Sequence, residues 1–99
     1  MPSDLPLFGL GRVVATPASL AALEGAGASP LTYLSRHQHG DYGDRSPADV
    51  GLNERAVVDG SRIFSVYRLK TGITIWIITD ATDDNGYRLA TTILLPEEY

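Results

Sequence analysis

The densest run of chemistry-bearing side chains lies in residues 36–45, which carry Arg36, His37, His39, Asp41, Tyr42, Asp44 and Arg45. Neutral imidazole nitrogens and carboxylate oxygens suit zinc or another divalent ion, so His37, His39 and Asp41 are the metal-ligand candidates. An imidazole titrating near neutrality also suits general acid or base work, although spacing alone puts no serine or carboxylate beside either histidine. The plainer alternative is structural. Gly40 and Gly43 would supply left-handed backbone, Asp41 or Asp44 would cap a turn, and Tyr42 would pack on the edge of the core. A third reading makes the segment a partner-binding loop that offers His37, Asp41, Tyr42 and Asp44 as contacts.

A second cluster, Asp80, Asp83, Asp84 and Asn85, has the oxygens that calcium uses. Its spacing lacks the alternating ligands of an EF-hand loop, so a solvated hairpin turn is expected. Trp76, Tyr33, Tyr67 and Tyr87 are of the types that anchor interfaces, with core packing the default for Trp76. Residues 8–11 lack the third glycine of a phosphate-cradling loop, and no Walker lysine follows. The absence of cysteine excludes thiol nucleophiles, disulfides and zinc ribbons together.

The formal net charge of −4 is unevenly placed. Acids and bases cancel up to residue 79, and from there Asp80, Asp83, Asp84, Glu97 and Glu98 face Arg88 alone. An acidic chain without a Lys/Arg cluster is a poor nucleic-acid or membrane binder, because both surfaces attract basic fields. Acidic ends suit a protein partner with a basic surface, with Asp83, Asp84, Glu97 and Glu98 as its electrostatic rim.

Positioning these groups falls to one domain. The chain has 99 residues, 43% hydrophobic and 20% charged, which is ordinary for a folded domain with a single core. Residues 1–8 are expected to be a flexible segment. Helix starts are marked three times by a hydroxyl followed by proline, at Thr16-Pro17, Ser29-Pro30 and Ser46-Pro47. The hydroxyl accepts from a first-turn amide, and proline at the first helical position has no N–H to leave unpaired. Helices are predicted over residues 17–25, 30–38 and from Pro47 to Gly60, facing inward with Leu20, Ala21 and Leu23, then Leu31 and Leu34, then Val50, Ala56 and Val57. A short strand at residues 11–15, a hairpin of residues 62–69 and 73–79, and a last strand at residues 88–95 complete the order β-α-α-α-β-β-β. This is an α+β domain, short helices packed on a mostly antiparallel sheet of three to four strands. With no basic leader and no apolar run of membrane-spanning length, the reading is cytoplasmic.

Several stretches also resemble a known family. Residues 11–17, Arg36-His37 through Gly40-Asp41-Tyr42-Gly43, Tyr67-Arg68-Leu69, Trp76-Ile77-Ile78-Thr79 and the close from Thr91 to Tyr99 are similar to small bacterial "plasmid-related" proteins of this length, encoded on plasmids and integrated elements. Tyr42 stands where that resemblance leads to tryptophan, and Asp80 where it leads to glutamate. What the resemblance implies is an accessory protein of mobile DNA that acts by occupying a larger protein or complex, for instance as an inhibitor of CRISPR or restriction. No cofactor is expected, and either a monomer or a homodimer closed through a sheet edge fits. The competing expectation is a small metal- or histidine-dependent enzyme built on residues 36–45, of which His37-x-His39-x-Asp41 resembles part of the metallo-β-lactamase signature.

Overall fold

The computed structural model describes residues 3–99, in the order β1 (Arg12–Ala15), α1 (Pro17–Gly25), α2 (Pro30–Gln38), α3 (Pro47–Asp59), β2 (Ile63–Arg68), β3 (Thr74–Thr79), β4 (Ala90–Leu94) and a terminal 3-10 turn (Pro96–Glu98). The α+β architecture read from the sequence is the one observed. Each hydroxyl-proline pair starts a helix as its chemistry requires. Thr16 accepts from the Ser19 amide, Ser29 from Leu31 and Ser46 from Asp49, while proline takes up the first turn. Gly60, at φ 86°, closes α3 in the left-handed region.

The sheet runs β1-β4-β3-β2, antiparallel except for the parallel β1–β4 pair. Its register gives all strands one parity: partners such as Ile63 and Thr79, Ile77 and Ile93, or Val13 and Thr91 are all odd-numbered. Odd positions face the helices and even positions the other side, since side chains alternate along a strand. The larger core therefore joins Tyr67, Ile75, Ile77 and Ile93 to Ala22, Leu23, Ala26 and Leu34 of the helices. A smaller cluster of Tyr42, Ala56 and Ile63 packs with Phe8, Val50 and Val57. On the even face the terminal turn folds back, so that Tyr99 meets Trp76 at 5.5 Å and Trp76 meets Phe64 at 4.8 Å between ring centroids.

Three inward-facing expectations are corrected. Leu20, Ala21 and Leu31 are exposed, and α1 turns Ser19, Ala22 and Leu23 inward instead. The phase of so short a helix is set by how it leaves β1: the Ser19 hydroxyl donates to the carbonyls of Thr16 and Ile93. Met1 and Pro2 of the segment expected to be flexible lie outside the described residues. Within the rest of it, the Ser3 and Leu7 amides donate to His39 and Gln38 at the end of α2. Among the described residues, no helix is long and apolar enough to cross a membrane.

Candidate functional site

His37 occupies the last turn of α2 and is completely buried, because that turn lies over the odd face of the sheet. Its Nδ1 lies 2.5 Å from Ser65 Oγ and its Nε2 2.8 Å from Thr79 Oγ1. Thr79 continues to Thr91 at 2.7 Å, and Thr91 donates to the Leu10 carbonyl at 2.7 Å. That terminal carbonyl orients the whole chain. A carbonyl can only accept, so Thr91 spends its proton there and accepts from Thr79. Thr79 in turn accepts from His37 Nε2–H, which leaves Nδ1 bare to accept from Ser65. Burial, helped by the charge of Arg88, pushes the His37 pKa down to about 3, so the imidazole is neutral and every donor in the network is matched.

A serine hydroxyl on an imidazole nitrogen is the contact that nucleophilic catalysis uses. Here, however, Ser65 and His37 have no exposed surface, so a substrate has no approach to either. The pair serves to join α2 to three strands. Arg36, Asp41 and His39 are also engaged within the fold. Arg36 Nε holds Asp41 Oδ2 at 2.7 Å, and that hydrogen bond lowers the Asp41 pKa and raises that of Arg36. Arg36 also lies over the Tyr67 ring at 4.7 Å, while the Tyr67 hydroxyl donates to the Asp41 carbonyl. His39 Nδ1 donates to the Ser35 carbonyl. His37, His39 and Asp41 therefore do not converge, and among the described residues no three His, Cys, Asp or Glu side chains form a metal-holding group.

Tyr42 is buried, with its ring against His37 and a hydroxyl that has no hydrogen-bond partner among the described residues. His37 and Tyr42 thus offer no surface to a partner, which corrects their assignment as contacts. Tyr42 is carried inward by its own segment: residues 42–44 pair with the outer edge of β2, where the Val66 amide donates to Tyr42 O and the Asp44 amide to Val66 O. Asp44 and Asp41 remain accessible on that loop.

The acids of the last twenty residues do not share one face. Asp83 and Asp84 precede β4, and Glu97 and Glu98 follow it, so the strand separates them to opposite ends of the sheet. Asp83 is also used internally, its carboxylate accepting from the amides of Asn85 and Tyr87. Glu98 accepts from the Leu95 amide and from Thr16 Oγ1, which together lower its pKa.

A cleft of about 630 Å³ opens where the segment before β1, the end of α3 and the β3–β4 loop meet. Leu7, Phe8, Val57, Val58 and Tyr87 supply its apolar walls, and Asp59 and Arg88 its charges. Val58 is 88% and Tyr87 68% exposed, so apolar surface faces water here rather than the core. Arg88 is the frame. Its guanidinium donates to the carbonyls of Ala56, Ser61 and Asp80, tying three elements together, and lies 5.7 Å from the Phe8 ring centroid. Thr82 fixes the loop to the Gly60 carbonyl through its amide and hydroxyl. Asp59 lies in the cleft wall, its carboxylate accepting from the Ser61 amide with Arg55 and Arg88 near enough to act on it, and Asp83 and Asp84 lie on the turn between the lining residues Thr82 and Gly86.

Sequence reasoning named Tyr87 as an interface type and Asp83 and Asp84 as a rim, but missed Leu7, Val58 and Asp59. The one signal was Val58 itself, an apolar residue adjoining the inward-facing Val57 on a short helix. Neither a protein-family model nor a curated protein nor a solved structure matches the chain.

Proposed function

We propose that this protein is a non-enzymatic binding module whose cleft receives a protein surface presenting an apolar side chain flanked by lysine or arginine. The observation that carries this reading is the exposed apolar lining of the cleft beside Asp59 and the Asp83-Asp84 turn. Exposed apolar patches rimmed by charge mark interaction sites, and charge of one sign selects partners of the other. The enzyme alternative on residues 36–45 is less favoured, since His37 is buried and His39 and Asp41 are engaged within the fold, which leaves Asp44 alone accessible and unpaired among the described residues.

The resemblance to plasmid-encoded proteins suggests a finer version, in which the partner is a larger complex with a basic face, such as a CRISPR or restriction assembly, and the module masks that face. Affinity capture from a lysate of the source organism at low and high salt, with wild type, Val58→Lys and Tyr87→Ala side by side, tests the reading. The expected result is a salt-sensitive partner that both variants lose while keeping wild-type melting temperatures. A partner retained equally by both variants would overturn the assignment of the cleft.

A further inference from the structure

The two edges of the sheet are treated differently. The β2 edge is covered by residues 42–44, whereas β1 pairs with β4 on one side only. Along β1 the amides of Arg12 and Thr16 donate inward to the carbonyls of Leu89 and Ile93. Strand alternation then directs the N–H and C=O of Val13 and Ala15 outward, toward solvent. Natural edges are usually blunted by lysine, proline, a bulge or an inward charge. The body of β1, Arg12-Val13-Val14-Ala15, has no proline, bulge or inward charge, and its protections are shortness and the one charge of Arg12 at its start. Val13 is 43% and Val14 40% exposed, so both faces of the edge are apolar as well.

We infer that β1 pairs antiparallel with β1 of a second copy of this chain, about a two-fold axis at Val14, to make one continuous sheet across a homodimer. The register follows from which groups are free. In an antiparallel ladder the residues that exchange hydrogen bonds must both point outward, so Val13 lies opposite the partner's Ala15 and Ala15 opposite the partner's Val13. Val14 then meets its own copy on the even face. Arg12 falls opposite the partner's Thr16, where β-geometry still holds, since Thr16 has φ −71° and ψ 150°.

That position is charged in the right sense. The Thr16 hydroxyl donates to Glu98 Oε1 at 2.7 Å, and the Glu98 carboxylate has no cationic partner among the described residues. The Arg12 guanidinium likewise has no hydrogen-bond or ion-pair partner among them. The pairing brings each Arg12 guanidinium to the other copy's Glu98, an isologous contact made twice by symmetry. A partner strand from an unrelated protein would satisfy the backbone equally but has no reason to carry this charge pair. The second copy is therefore the occupant that the observations favour.

Sedimentation velocity over a wide concentration range reads the result. Wild type is expected to reach the mass of a dimer, and Val14→Lys, which puts like charges across the axis, is expected to weaken association by more than about tenfold. Arg12→Glu should do the same by facing Glu98 of the partner, and combining Arg12→Glu with Glu98→Arg should restore it. Circular dichroism of each variant checks that the monomer fold is retained, and Arg12 lies at the start of the strand, where substitution leaves the core alone. Wild type that stays monomeric at every concentration overturns the inference, as does a dimer that both single variants leave at full strength.

Discussion

At neutral pH the His37 imidazole is uncharged and held from both ring nitrogens, and this has a measurable consequence. Its pKa in the folded protein, about 3, lies below the ordinary 6.5, so the unfolded chain binds a proton that the native chain refuses. Stability is full above about pH 6.5 and falls as pH drops toward about 3, by about 1.4 kcal/mol per pH unit. Asp41, held below its usual range chiefly by the hydrogen bond from Arg36, adds a loss in the same direction only in stronger acid. Urea denaturation should show about 2 kcal/mol less stability at pH 5 than at pH 7, and His37→Gln should flatten that interval. A slope that survives the substitution would assign the titration elsewhere. Tyr42 supplies an independent test, because its buried hydroxyl has no partner among the described residues, and such a hydroxyl carries a desolvation cost of about 1–3 kcal/mol. Tyr42→Phe is expected to raise stability by about 1 kcal/mol, and a loss of that size would mean that the hydroxyl has a stabilising contact.

At the scale of elements, the loop of residues 36–45 acts as a structural strap. It buries Tyr42, pairs with β2 and holds Asp41 against Arg36 and Tyr67. Gly43 allows the approach: its φ is 75°, and a Cβ there would collide with the Val66 carbonyl and the Tyr67 ring. Gly43→Ala should therefore cost more than about 2 kcal/mol, combining a left-handed backbone with a steric clash. A chemical melt within about 0.5 kcal/mol of wild type would show that the strap is not built this way. The helix starts were legible because the hydroxyl-proline pair acts locally, through a side chain and an amide two or three residues away. The strands were legible from their alternation. Which face of α1 and α2 turns inward was not, since Ser19 and His37 are buried by partners distant in sequence, Ile93, Ser65 and Thr79. A polar residue buried by long-range pairing has no apolar periodicity to announce it.

For the whole molecule, the acidity of the last twenty residues is real in sequence but divided in space. One part flanks the cleft and the other lies beyond β4, next to Thr16 and the open edge of β1. The two groups of acids accordingly belong to the two proposed contacts, one at the cleft and one at the edge. The site itself was only partly legible, because Leu7, Val58, Asp59 and Tyr87 come from segments far apart in the chain, and only the fold assembles them. The most direct test of the cleft as the working surface is a photo-crosslinking residue placed at position 58, with position 31 as the control. Val58 lines the cleft, whereas Leu31 is exposed on α2 and absent from its walls. In cells of the source organism, position 58 should give one defined adduct with a partner of basic surface, and position 31 should not. The same adduct from both positions, or none from position 58, would contradict the account.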